Sequence, residues 1–143
     1  MIQLADINVV FALLVENHTH HRSAWKWWAK RNDSSVAWCL PVRLGILRLL
    51  TNKTAMQGDV VTPTEALDAW GAFAQDPRVT EVSTSGPSHE ITLRRLIHNR
   101  VATPNLWTDA WLASAAESSA MGLVSFDTGF RRYGLAGFEL LKG

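Results

Sequence analysis

Short apolar runs separated by helix-length stretches set the strongest constraint on what this chain can fold into. Ile2–Ile7, Val36–Leu40, Val79–Val82, Leu123–Phe126 and Gly137–Leu141 each read as a strand. Runs that are apolar on both faces suit strands covered on both sides, which is the habit of parallel sheets. Strands that alternate with helices pair in parallel through crossover connections. The expected architecture is an α/β fold: a three-layer α/β/α sandwich around a mainly parallel sheet of about five strands. No repeat, low-complexity tract or Pro/Gly/Ser linker interrupts the pattern, so residues 1–143 read as a single domain.

The stretches between the strands carry local helix signals. Asn8 is a candidate cap for a helix reaching Val15, with Phe11, Leu14 and Val15 on one face. His18–Asn32 reads as a second helix, in which Trp25 and Trp28 share a side and Trp27 points away. Pro41 opens a third, with Leu44, Leu47 and either Arg48 or Leu50 at helical spacing, and Thr51-Asn52 closes it. Thr62-Pro63-Thr64-Glu65 is a capping box with proline at the first helical position. That helix runs to about Ala74 and stops at Asp76-Pro77. Ser88–His98 reads as another, and Thr108 as the cap of an Ala-rich helix ending at Met121-Gly122.

Charge and cysteine content mostly exclude. Fourteen Lys+Arg against thirteen Asp+Glu rule out both a histone-like polycation and an acidic tail. The lone cysteine, Cys39, closes no intrachain disulfide and builds no thiolate zinc cage. No apolar run approaches the ~18 residues needed to cross a bilayer. The first residues lack a signal peptide's basic flank and cleavage site, so a cytoplasmic protein with no membrane partner is expected. P-loop, dinucleotide and nucleophile-elbow motifs are all missing.

Ligands of parallel sheets bind beyond the carboxyl ends of the strands. Asp6 falls there on the first strand, in an otherwise apolar segment, and Asp127 directly follows the fourth. Asp109 lies in the first turn of the Thr108 helix, with Asn105 just before it. Convergent carboxylates repel one another unless a cation sits between them. A hard divalent ion with oxygen ligands suits such a set, and such an ion activates water for displacement at phosphorus. Singly, Asp109 also fits a helix N-terminus and Asp127 a turn. Asp6 fits neither easily, because a carboxylate in an apolar strand is costly without a partner.

Other clusters compete for attention. His18, His20 and His21 read as a polar lead into a helix, since only His18 and His21 share i,i+3 spacing. Of the seven tryptophans, Trp38 and Trp70 read as core. Trp25, Trp27 and Trp28 cannot all face inward, and exposed aromatics at that density suit a protein partner or dimer surface. Trp107 and Trp111 flank Asp109, where packing and base stacking compete. Of the basic groups, Arg43, Arg48 and Lys53 and the pair Arg131–Arg132 are expected near the carboxylate rim, unlike Arg94, Arg95 and Arg100.

Four ordered segments resemble PIN domains, and more narrowly the VapC-type toxins of bacterial toxin–antitoxin pairs. They are Asp6-Ile7-Asn8, Leu44 to Asn52, Thr108 to Ala113, and Ser125 to Phe130, and the likeness spans nearly the whole chain. The resemblance implies a Mg²⁺- or Mn²⁺-dependent endoribonuclease that cuts RNA. It also implies a homodimer neutralised by a small antitoxin whose tail enters the acidic pocket. Asp6, Asp109 and Asp127 match the family's metal-site acids, and Asn8, Thr108 and Ser125 match supporting polar positions. Arg48, Trp107 and Arg131 are candidate RNA contacts.

Arg43 departs from the pattern, because many relatives carry Glu at that place. An arginine there either pairs with Asp6, displacing a second metal, or grips the scissile phosphate and joins the catalytic set. Two readings stand: an active nuclease, or a PIN-fold RNA- or antitoxin-binding module silenced by Arg43. A phosphoacceptor receiver-like domain also uses strand-end Asp residues, but this chain lacks the early acidic pair and the strand-end Lys such a domain needs.

Overall fold

The computed structural model of the chain describes residues 1–84 and 86–143. Its strands are β1 (Gln3–Ala5), β2 (Val36–Trp38), β3 (Val79–Glu81), β4 (Gly122–Ser125) and β5 (Phe138–Leu140). Its helices are α1 (Ile7–Leu14), α2 (His21–Trp28), α3 (Leu40–Leu50), α4 (Pro63–Ala74), α5 (Pro87–Ile97) and α6 (Leu106–Ser118), with a 3-10 segment at Thr128–Tyr133. All five strands pair in parallel, in the order β3-β2-β1-β4-β5, and helices flank the sheet as expected of an α/β fold.

Burial follows strand position. β1, β2 and β4 are buried throughout, and the edge strands β3 and β5 only partly. Leu4 aligns with Ala37 on one side and Leu123 on the other, at the centre of the core. β4 and β5 approach closely where they begin: a Cβ on Gly137 would lie 2.9 Å from the Gly122 Cα, so neither position admits a side chain without backbone movement.

Several helix boundaries differ from the sequence-based expectation, each for a physical reason. β1 ends at Ala5 because Asp6 turns the chain into α1 and caps it, its side chain accepting the Ile7 N–H. Asn8 is therefore inside α1 rather than its cap. α2 begins at His21, not His18, because His18, Thr19 and His20 form a turn in which the His18 ring accepts the His20 N–H. α6 begins at Leu106 with Asn105 at the cap position, which leaves Thr108 inside the helix. A turn from Thr103 to Leu106 already sets the helical path there. On α3 the buried face is Val42, Gly45, Ile46 and Leu50, and Leu44 stays outside. Close approach decides that face, since a Cβ on Gly45 would come within 2.6 Å of the Ile7 Cδ1.

The tryptophans also sort by partner. Trp27 and Trp28 both point inward and Trp25 is 46% exposed, the reverse of the expected split for Trp25 and Trp27. Trp27 is held inside because its indole N–H donates to the buried Gln3 side chain at 3.0 Å. Trp28, Phe73, Trp70 and Trp38 form a chain of ring contacts with centroids 5.8, 5.3 and 5.0 Å apart, joining α2, α4 and β2. Such aromatic pairs add to area burial.

The capping box at Thr62 forms as read, with the Thr62 hydroxyl and Glu65 carboxylate each accepting the other's backbone N–H. Urea denaturation separates the two kinds of contribution. Thr62→Ala lowers stability by about 1 kcal/mol, whereas Trp70→Ala lowers it by about 3–5 kcal/mol through the cavity it leaves.

Candidate active site

The chain builds the sheet outward from β1 in one direction to β3, then restarts on the other side with β4. The switch point lies between the carboxyl ends of β1 and β4, which is where open parallel sheets place ligands. Pairing continues one residue past β1, with the Asp6 N–H donating to the Val124 carbonyl at 3.0 Å. Asp6 and the residues after β4 are thereby held side by side.

The Ser125 hydroxyl is the hub of this crevice. It donates to the Asp6 Oδ2 at 2.7 Å and accepts from the Asp127 N–H at 2.9 Å and the Asn8 Nδ2 at 3.2 Å. One donated and two accepted bonds saturate a hydroxyl. The other Asp6 oxygen accepts the Ile7 N–H at 2.7 Å. Asn8 reaches back across the crevice, its Oδ1 accepting the Phe126 N–H at 3.2 Å. Asp127 caps the 3-10 segment through the Gly129 N–H at 2.8 Å, so it is a turn residue and a rim residue at once.

Asp6 and Asp109 both ionise against like charge nearby. Burial raises the Asp6 pKa above its ordinary value, with Ser125 and Ile7 opposing and Asp127 adding to the rise. Asp109 is pushed up to about 6, first by burial and then by the charges of Asp6 and Asp127. Arg132 opposes that rise, its Nη2 lying 3.6 Å from the Asp109 Oδ2. Excess negative charge on hard oxygen donors fits a divalent cation. As the side chains stand, no three His, Cys, Asp or Glu among the described residues close around one point. Each acid has an oxygen engaged elsewhere, by Ser125 and Ile7, by Gly129, or by Arg132. Thiol chemistry is remote, because burial pushes Cys39 up to about 12.

The other candidate residues divide. Asn8 and Ser125 join the crevice directly. Arg48 and Thr108 share a cleft with Ile7, Leu44 and Trp111. Arg43 occupies the first turn of α3, half-buried, and makes no side-chain hydrogen bond or ion pair among the described residues, so the pairing with Asp6 is not formed. Trp107 is 58% exposed, and Trp111 turns to Thr84 and His89. Arg131 is exposed, and its neighbour Arg132 is the one that meets an acid. The sequence singles out Arg131 as a candidate RNA contact and gives Arg132 no role of its own beyond the basic pair. The Arg132 Nε bond to the Gly129 carbonyl, which aims its side chain, is a feature of the folded turn.

The raised Asp109 pKa is also a stability statement. Between its ordinary value near 3.8 and about 6, the folded state holds a proton that the unfolded state has lost, so stability falls as pH rises through that window. Asp109→Asn removes this penalty. The variant is expected to be more stable than the parent at pH 7.5, by on the order of 1–2 kcal/mol for a partly open group. In urea titrations that advantage disappears near pH 4.

Comparison with known proteins agrees with this geometry. The PIN domain family model matches residues 4–135. The chain is 34% identical to the Mycobacterium tuberculosis protein named Ribonuclease VapC41, over 96% of this chain and 95% of the relative. It is 30% identical to Ribonuclease VapC25 of the same organism, over 91% and 92%. Among solved structures, the Rickettsia felis VapBC2 complex bound to a promoter DNA fragment aligns with a TM-score of 0.70 at 15% identity, covering 99% of this chain and 100% of that one. The M. tuberculosis VapC20 structure, described as a Sarcin-Ricin loop cleaving toxin, aligns with 0.66 at 18% identity, covering 94% and 96%. The switch-point crevice, its acids and these matches together identify the chain as a member of the PIN-domain family, within the VapC-type ribonucleases.

Proposed function

We propose that this protein is a metal-dependent endoribonuclease toxin that hydrolyses RNA phosphodiester bonds and is neutralised by a small antitoxin protein. The observation that carries the reading is the gathering of Asp6, Asp109 and Asp127 at the switch point, where Asp127 raises the cost of ionising Asp6 and both raise that of Asp109. A site that stores negative charge in this way gains most from binding a cation. The names of the relatives, ribonucleases about a third identical over nearly the whole chain, support the same activity.

Asp6, Asp109 and Asp127 would hold Mg²⁺ or Mn²⁺, which when bound supplies an activated water and offsets charge on the phosphate. The residues of the chain do the rest. Ser125 and Asn8 fix the Asp6 carboxylate and the Phe126–Asp127 backbone, so the acids do not swing apart. Arg132 restrains Asp109. Arg43, with no partner among the described residues, is free to meet a phosphate oxygen bidentately. Arg48, beside Thr108, is placed for a neighbouring phosphate, while Trp107 and Arg131 remain exposed for RNA.

For partners, the exposed Leu40, Leu44 and Leu67 on α3 and α4 suit a second copy of the chain. The acidic crevice suits a basic side chain of an antitoxin tail. No helix among the described residues is long and apolar enough to cross a membrane, and a cytoplasmic protein of one PIN-like domain, residues 1–143, fits this reading.

Asp6→Asn is expected to lower RNA cleavage at least ~100-fold and to relieve growth inhibition on expression, and cleavage at the parent rate would refute the assignment. Calorimetric titration with Mn²⁺ should show binding to the parent that weakens below pH 6, as protons compete for Asp109. Arg43→Glu separates the active from the silenced reading. A large gain in Mn²⁺ affinity and cleavage marks Arg43 as the silencing change, and no gain marks it as a working phosphate contact.

A further inference from the structure

Lys26, Lys30, Arg31 and Lys142 line one groove of about 380 Å³ between α2 and the end of β5, together with Ser23, Trp27 and Glu139. None of these four cations makes an ion pair among the described residues, and the bases that do are Arg78, Arg94, Arg95 and Arg132. Glu139, the acid in the lining, is not paired with any of them either. The three lysines are exposed. Their charge is therefore open to a ligand.

The groove is organised rather than a chance gathering of lysines. The buried Gln3 Oε1 accepts both the Trp27 indole N–H at 3.0 Å and the Arg31 Nη1 at 2.6 Å. The Arg31 Nε donates to the Trp27 carbonyl at 3.1 Å, and the guanidinium lies 5.2 Å from the Trp27 ring centroid. This pins the fork on two sides and leaves its Nη2 without an acceptor among the described residues. Ser23 donates to the Lys142 carbonyl, which ties the C-terminal segment to α2. Arg22 precedes Lys26 by four residues, as Lys26 precedes Lys30, so all three fall along one side of the helix and its exit.

The start of α2 lies beside the strand end that leads into the crevice. The His20 ring, just before α2, stacks on Phe126 with centroids 4.7 Å apart, and Phe126 adjoins Asp127. β5 runs parallel to β4, so Lys142 leaves the sheet at the same edge as Asp127. The carboxylate crevice repels a polyanion, and attraction for one has to come from outside it.

We infer that this α2–β5 groove is a docking track for the RNA phosphodiester backbone, holding the strand on one flank while its scissile phosphate lies over the carboxylates. The inference rests on the nuclease reading and adds where the substrate is gripped. Lysine contacts to phosphate are blind to sequence, and the exposed Trp25 beside the track offers a stacking face to whichever base passes.

The test uses Lys26→Gln, Lys30→Gln and Lys142→Gln combined, in an Asp6→Asn background, with circular dichroism to verify folding. Anisotropy titrations use a fluorescein-labelled single-stranded RNA of mixed sequence, about 20 nucleotides long, across a range of KCl. The triple variant should bind about tenfold or more weakly near 50 mM salt, with its log Kd against log salt slope reduced by about 2. Unchanged affinity and slope would overturn the inference, as would loss of a co-expressed antitoxin with RNA binding intact. Cleavage by the parent is read separately. A parent that binds RNA through these lysines and never cuts it keeps the track and loses the nuclease reading, whereas a parent that cuts while the triple variant binds normally does the reverse.

Discussion

The Ser125 hydroxyl, between β1 and β4, is the contact on which the site depends. It donates to Asp6 and accepts from Asn8 and the Asp127 backbone, so a single oxygen joins the end of one central strand to the end of its neighbour. The register that aligns Ala5 with Val124 makes this possible, because it brings Asp6 and Ser125 to the same level of the sheet. Slipping that pairing by one residue would turn the two side chains to opposite faces. A sheet built in the order β3-β2-β1-β4-β5 has its switch point here, and the chain fills it with acids.

Those acids cost stability in the free protein. Asp6 is nearly buried, and Asp109 ionises against two like charges and only one Arg132. A core position filled by leucine would stabilise the fold, and these residues destabilise it at neutral pH. Retained strain of this kind is expected where a site must receive a cation or a charged group. The surrounding architecture offsets the cost through packing, with fully buried Leu4, Val9, Ile46, Leu112, Leu123 and Phe130 and an aromatic chain from Trp28 to Trp38. The charges then divide across the molecule: negative in the crevice, unpaired positive on the α2–β5 flank. A near-neutral total conceals this separation.

Much of the fold was legible because its signals are local. Apolar runs marked all five strands within a few residues, and the capping box at Thr62 marked a helix start to the residue. The errors lay where tertiary contacts overrode local preference. Asn8 has good capping chemistry, but Asp6 caps α1 and releases Asn8 to cross the crevice. Trp25 has the spacing of a core residue, but Gln3 supplies a buried acceptor to the Trp27 indole instead. Leu44 follows a helical stripe, but Gly45 is where α3 can touch Ile7. Phe126 for Asn8, Gln3 for Trp27 and Ile7 for Gly45 all lie more than twenty residues away along the chain.

From the sequence alone came the class of fold, the three aspartates and their placement after strands or at a helix start, because strand ends and helix starts are written in neighbouring residues. Which acid answers to which base was decided only by the tertiary structure. Arg132 meets Asp109, while Arg43 pairs with neither Asp6 nor Asp109 among the described residues, since pairing depends on how a turn aims a side chain across the sheet. The groove of Lys26, Lys30, Arg31 and Lys142 likewise exists only once α2 lies against the end of β5, more than one hundred residues away along the chain.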